Sequence, residues 1–247
     1  MVQAPQRTAF SGPTLIRLLA RLTDLDVPES RQSLSDRLSQ WLGWTDAIAL
    51  STALNGNPPA VASSARAFGS AEENECARVR TSLANAIAGD SAFAAASRRA
   101  PAHAPLPGAP MEATVAYPFF RQRYVSMQQA METGIGNLRG RLRAMLAART
   151  PGMARLAVVD AVMERALGSR EQSLLAAVPV LLATHFERLQ RAEQQTLAAA
   201  EASGDAAAVA PGAWLDVFLK DMQSALLAEL DVRFQPVEGL LAALRAS

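Results

Sequence analysis

Few residues in this 247-residue chain could do covalent or acid–base chemistry. It holds two histidines, His103 and His185, one cysteine, Cys76, and one lysine, Lys220. His103 stands in a proline-rich stretch, where a solvated ring is expected. His185 falls on an apolar helical spacing beside Phe186, which suits a hydrogen-bonded core or edge histidine better than a general base. A lone cysteine supplies neither a disulfide framework nor a thiolate cage, and Cys76 reads as a small buried hydrophobe. A phosphate-cradling loop ends in Lys-Ser or Lys-Thr after glycines, whereas Lys220 is followed by Asp221 in mid-helix. Neither a GxSxG elbow nor a kinase signature occurs. Glu72 and Glu73 fit the first turn of a helix, where the dipole favours negative charge. The sequence thus predicts no catalytic residue, no metal ligand, no cofactor and no enzymatic activity.

What remains for recognition is arginine, 23 residues against the single lysine. A guanidinium binds phosphate or carboxylate bidentately, although a GC-rich coding sequence explains both this bias and the abundance of alanine. Tyr117 to Thr150 carries Arg121, Arg123, Arg139, Arg141, Arg143 and Arg149 against Glu132 alone, a net of +5. Tyr117, Phe119, Phe120 and Tyr124 are interleaved with the first two. Such a helix could follow a phosphate backbone or lie on an anionic lipid surface. The reading we favour is internal pairing, because Glu201 to Ser247 carries a net of −4 and an acidic C-terminal helix would cancel the basic one. The whole chain, at +1, has no global field to attract a polyanion.

The elements that would position these groups are helices. Alanine occupies 51 positions, and Ala, Leu, Arg, Gln and Glu all favour helix. No β-branched or aromatic run alternates with polar residues, so no sheet is expected. The fold class is all-α: a helical bundle with long antiparallel helices in the C-terminal half and a smaller N-terminal helical subdomain. Arg98 to Pro110 holds four prolines in RRAPAHAPLPGAP and excludes regular structure. It divides the chain into 8–97, a Pro-rich linker at 98–113, and a bundle at 114–247.

Ser11-Gly12-Pro13 opens a first helix on Leu15, Leu18, Leu19 and Leu22. Pro28 to Ser30 opens a longer one running through Trp41 and Ile48 to Asn55, with Trp41 and Trp44 turned toward the first helix. Ser70 and Glu73 form a capping box for a helix to about Ala88. From Tyr117, apolar residues recur at Phe120, Tyr124, Met127, Met131, Ile135, Leu138, Leu142 and Met145, a coiled-coil-like seam with one four-residue stutter. Gly134, Gly136 and Gly140 beside it mark a close approach of another backbone or a break. Thr150-Pro151 caps a helix ending at Gly168. Ser169 opens another on Leu175, Val178, Leu182, His185 and Leu189, kinked near Pro179. Ala213 to Gln235 forms the next helix, and Pro236 starts a short terminal one.

TAFSGPTLIRLLARL at Thr8 to Leu22, LSQWLGWTDAIALSTAL at Leu38 to Leu54 and LLAELDVRFQPVEGLLAAL at Leu226 to Leu244 together resemble an uncharacterised bacterial family classed only as a domain of unknown function. The resemblance spans nearly the whole chain, with 60–113 the variable part, and brings no activity and no functional residue with it. It implies a gene setting beside a predicted inner-membrane protein and an OmpA-like, peptidoglycan-binding protein, hence a cytoplasmic accessory of an envelope-associated complex.

The function expected is that of a non-enzymatic helical interaction or scaffold protein, packing against a protein partner or a second copy. The contact residues would come from the seam and its flanks: Tyr124, Met131, Leu138, Arg139, Arg141 and Arg143. The alternative is a nucleic-acid-binding protein using the Arg-rich helix 117–149. Met1 to Thr8 lacks the apolar stretch of a signal peptide, and Leu174 to Ala183, the most apolar run, is about half the ~20 residues of a membrane crossing. A cytoplasmic location is expected.

Overall fold

The computed structural model describes residues 14–23, 32–56, 69–90, 116–203 and 212–246. The Pro-rich stretch 98–113, with His103, lies outside the described residues. So do the proposed caps at Ser11 to Pro13 and Pro28 to Ser30. Among the described residues there are eight helices and no strand: α1 (Thr14–Thr23), α2 (Leu34–Trp41), α3 (Trp44–Asn55), α4 (Ser70–Ala88), α5 (Tyr117–Ala147), α6 (Pro151–Leu175), α7 (Val178–Ser203) and α8 (Ala213–Arg245).

The core forms around α5 and α8. The predicted seam of α5 is buried at Phe120, Tyr124, Met131, Ile135, Leu138 and Leu142, and its last step is Leu146 rather than Met145. These side chains meet Phe218, Leu219, Met222, Leu226, Leu230, Phe234, Val237 and Leu240 of α8 in one continuous cluster. Contacts advance together along the two helices, from Phe120–Phe218 to Tyr124–Glu229, so α5 and α8 run parallel. Contacts of α5 with α6 and α7 run the other way, from Arg139–Asp160 through Gln128–Leu175 to Tyr117–Pro179. One 31-residue helix is therefore lined on one side by α6 and α7 in succession. Helices α1 and α4 lie antiparallel on α8, and their Leu22, Cys76 and Ile87 belong to the same cluster.

The segmentation differs from expectation in four places. The long helix from Pro28 is two helices, α2 and α3. Asp36 and Ser33 form a reciprocal cap, and the Gly43 N–H donates to Asp46 Oδ2 at 3.3 Å, so a second start signal interrupts the run after Trp41. The cap of α4 is Gly69, whose N–H donates to Glu72 Oε2 at 2.9 Å, one residue before the Ser70–Glu73 pair.

Gly168 does not end a helix, and Ser169 does not begin one. Gly56 and Gly89 do follow the ends of α3 and α4, whereas Gly168 stays helical within α6. Helix α6 continues to Leu175, and the break falls at Ala176–Ala177, which seats Pro179 in the first turn of α7 where its missing N–H costs nothing. Nor does Pro236 start a new helix. An interior proline costs about 3 kcal/mol, yet Phe234, Val237, Leu240, Leu241 and Leu244 all reach the core only if α8 runs straight through it.

The glycines of α5 neither break it nor admit another backbone. A Cβ at Gly134 would meet the side chains of Leu83 at 3.7 Å and Val79 at 4.0 Å, and at Gly136 and Gly140 nothing within 4 Å. Trp41 and Trp44 do not face α1 either, because the break at Gly43 separates them. Trp41 lies under the Arg170 guanidinium of α6, 5.1 Å from the ring centroid, and Trp44 is 82% exposed.

Candidate functional site

Of the six residues singled out on α5, Tyr124, Met131 and Leu138 point into the chain's own core and are almost wholly buried. Arg139 and Arg143 point toward α6. Arg139 donates from Nε and Nη2 to the two Asp160 oxygens at 2.9 and 2.7 Å, and Arg143 reaches Asp160 at 3.2 Å and Glu164. Burial alone would lower the pKa of Arg139, but the hydrogen bonds and charge of Asp160 outweigh it and hold the guanidinium above its ordinary value. Arg141, half-exposed, pairs with Glu75 of α4, and Arg123 donates to Asp90. Four of the five arginines of α5 thus pair with carboxylates of α4, of α6 and of Asp90, two residues past α4. The acidic C-terminal helix is not their partner, contrary to expectation.

The carboxylates of α8 answer other groups. Glu229 is fully buried, accepts from Tyr124 Oη at 2.9 Å and Gln128 Nε2 at 3.0 Å, and is paired with Arg233 one turn on at 2.8 Å. Gln128 also donates to the Leu175 carbonyl at 3.1 Å, so one side chain joins the buried carboxylate to the end of α6. Nothing in the seam pattern pointed to Glu229. Its signal was a carboxylate on the apolar face of α8, one turn after Ala225 and one turn before Arg233.

His185 is buried, as its spacing suggested. Its Nε2 lies 2.9 Å from Asp221 Oδ2 and its Nδ1 is 3.1 Å from Arg188 Nη2. Because a guanidinium can only donate, Nδ1 accepts and the proton sits on Nε2, toward Asp221. Arg188 also donates to the Leu22 carbonyl at 2.9 Å, which ties the end of α1 to this pair. Burial, then the neighbouring Glu75 charge, raises the Cys76 pKa and disfavours the thiolate. Among the described residues, no group of three or more His, Cys, Asp or Glu side chains is arranged to hold a metal ion, and no helix is long and apolar enough to cross a membrane.

Among the described residues, the outer face of α3 is one apolar surface that internal packing leaves open. Its inner side, Ala49, Leu50 and Ala53, rests on α6, and Arg155 of α6 donates to the Gly56 carbonyl at 3.2 Å. On the opposite side Trp44, Ala47, Ile48, Ser51, Leu54 and Asn55 share an arc about 120° wide at 100° per residue. All six are exposed, Trp44 at 82%, Ile48 at 50% and Leu54 at 52%. Neither α2 nor α3 contributes to the central cluster, and Leu34 of α2 is itself 72% exposed.

The chain belongs to a family described as protein of unknown function (DUF3348), which it matches over residues 1–246. No curated protein and no solved structure matches it.

Proposed function

We propose that this member of the family is a non-enzymatic, cytoplasmic helical interaction protein, and that it makes contact through the outer face of α3. The observation that supports this is that Trp44, Ile48 and Leu54 of α3 are each at least half exposed on the side away from α6. Scattered single exposed hydrophobes do not line up at helical spacing as these three do. The seam of α5, with Tyr124, Met131 and Leu138, is occupied by the chain's own α8 and offers no surface to a partner in this fold. A nucleic-acid reading draws no support from Arg139 and Arg143, whose donors are already directed at Asp160 and Glu164.

The test is the native mass of the chain in extracts of its host, for wild type and for Trp44→Glu with Ile48→Glu. The wild type is expected to travel above the 26.2 kDa of one chain. The double variant is expected to travel as a monomer with unchanged melting, since substitutions at exposed sites typically move stability by no more than about 0.5 kcal/mol. Equal mobility of the two would remove the reading.

A further inference from the structure

We infer that the cleft where α5, α6 and α8 meet is a binding site for a small amino acid, its carboxylate held by Arg233 and its ammonium group by Glu132 and Glu171. The site is separate from the outer face of α3, and neither reading depends on the other.

The room comes from glycines on two facing helices. Gly136 of α5 and Gly168 of α6 both line the cleft, and a Cβ on either would meet nothing within 4 Å. The cleft measures about 130 Å³. That is below the roughly 300–1,000 Å³ of a drug-sized pocket and close to the roughly 150 Å³ that takes a benzene-sized molecule. A ligand of a few non-hydrogen atoms fits.

The floor is a guanidinium with unused donors. Arg233 leaves only 10% of its side chain in solvent. Its Nε–H donates to Glu229 at 2.8 Å on the side of the core, whereas Nη1 stands 3.9 Å from Glu171, beyond hydrogen-bonding distance. Neither Nη atom has an acceptor among the described residues. The edge formed by the two Nη groups matches a carboxylate bidentately, and a charge-assisted pair of that kind is the strongest such contact a guanidinium makes.

Charge at the rim selects what the rest of the ligand carries. Arg139 and Arg143 are engaged by Asp160 and Glu164, and Arg233 by Glu229. Glu132 of α5 and Glu171 of α6 line the same cleft and are exposed, and among the described residues neither has an ion pair closer than the 3.9 Å of Glu171. A simple anion would meet these two carboxylates. A simple cation would leave the Nη donors of Arg233 unmet. A molecule with a carboxylate at one end and an ammonium group at the other answers both.

The experiment follows the Gly136 and Gly168 amide signals of the isotope-labelled full-length chain by nuclear magnetic resonance. The probes are free glycine, β-alanine and γ-aminobutyrate, with propionate and propylammonium as one-ended controls at equal ionic strength. At least one amino acid should shift both signals saturably, with half-saturation about ten-fold or more below either control, because each control lacks hydrogen bonds to a charged group. Glu132→Gln with Glu171→Gln should weaken amino-acid binding about ten-fold or more, toward the level of propionate. Gly168→Leu should abolish the saturable shift at Gly136 without lowering the melting temperature, since leucine favours helix and its Cβ enters open space. A control that binds as tightly as the amino acids overturns the two-ended ligand. No saturable shift from any of the three at up to about 50 mM, or a shift that survives Gly168→Leu, overturns the site.

Discussion

The phenolic hydroxyl of Tyr124 donates to Glu229 Oε2 at 2.9 Å across the centre of the bundle, and neither side chain has any exposed surface. A hydroxyl that serves a buried carboxylate cannot ionise without setting two negative charges side by side. Burial first, then the charge of Glu229 and the bond to it, raises the Tyr124 pKa well above 10.

The consequence is measurable because the chain has only two tyrosines, and the other is also perturbed. Tyr117 donates to the Pro179 carbonyl, and burial pushes its pKa up to about 12 against a smaller lowering by Arg121. Both groups hold their protons more tightly folded than unfolded. Their contribution to stability is complete below the unfolded value of about 10 and is lost as pH rises through the higher folded values. Near-ultraviolet titration of the native chain should show no phenolate step near pH 10. Two phenolates should appear together when alkali unfolds it. A one-tyrosine step near pH 10 in the folded protein would contradict the burial of that ring.

Glu229 and Arg233 should behave as a pair whose members are safe only together. Glu229→Ala leaves a guanidinium that is nine-tenths buried without its closest counter-charge, and deprives Tyr124 and Gln128 of their acceptor. Breaking such a pair costs about 3–5 kcal/mol, whereas replacing both partners by apolar residues of similar volume is far cheaper. Urea unfolding should therefore rank Glu229→Met as more damaging than Glu229→Met with Arg233→Met. The opposite ranking would mean that the pair, more than its completeness, holds α8 in place.

The helix content and the α5 seam were legible because both rest on repeated local signals, propensity in one case and period in the other. The failures share a cause. Gly168, Ser169 and Pro236 are stop or start signals in isolation, but each lies within a helix that buries apolar residues on both sides of it, Val162 and Leu175 in α6 and Phe234 and Val237 in α8. That burial outweighs the local cost. Gly43 was missed because glycine caps through its backbone, leaving Asp46 as the only side-chain clue. The direction of the pairing was not legible either. Counting charge on α5 and α8 found the right need and the wrong partner, since only the fold shows that Arg139 faces Asp160. The outer face of α3 was not read from the sequence, which set Trp44 with Trp41 against the first helix, because the break at Gly43 that turns them apart was missed.

Gly136 and Gly140 offer a test in the stabilising direction. Both sit in the interior of α5, and a methyl group added to either would meet no atom within 4 Å. Alanine would remove the backbone entropy that glycine loses in a helix and touch no neighbour, so each substitution should stabilise by roughly 0.5–1 kcal/mol. A higher melting temperature for Gly136→Ala with Gly140→Ala is expected. A lower one would mean that something other than solvent occupies that side of α5.

The final prediction sets three neighbours on α5 against one another. Leu138 is 1% exposed in the central cluster, Arg139 leaves 12% of its side chain in solvent between two α6 carboxylates, and Arg141 leaves 54% exposed beside Glu75. Leu138→Asp buries an unpaired charge among apolar side chains and should cost about 4 kcal/mol or more, a large share of the roughly 5–15 kcal/mol that holds a domain folded. Arg139→Gln removes two good hydrogen bonds to Asp160 but leaves Arg143 within 3.2 Å of the same carboxylate, so a loss of roughly 1–3 kcal/mol is expected. Arg141→Gln breaks a solvent-screened pair worth about 0–1 kcal/mol. Denaturant midpoints should fall in that order, and nucleic-acid retention at low salt should be the same for wild type and both arginine variants. If Arg139→Gln and Arg141→Gln were both thermodynamically silent yet lowered retention together, the arginines would be facing a polyanion, and their pairing with α6 and α4 would be incidental to what the helix does.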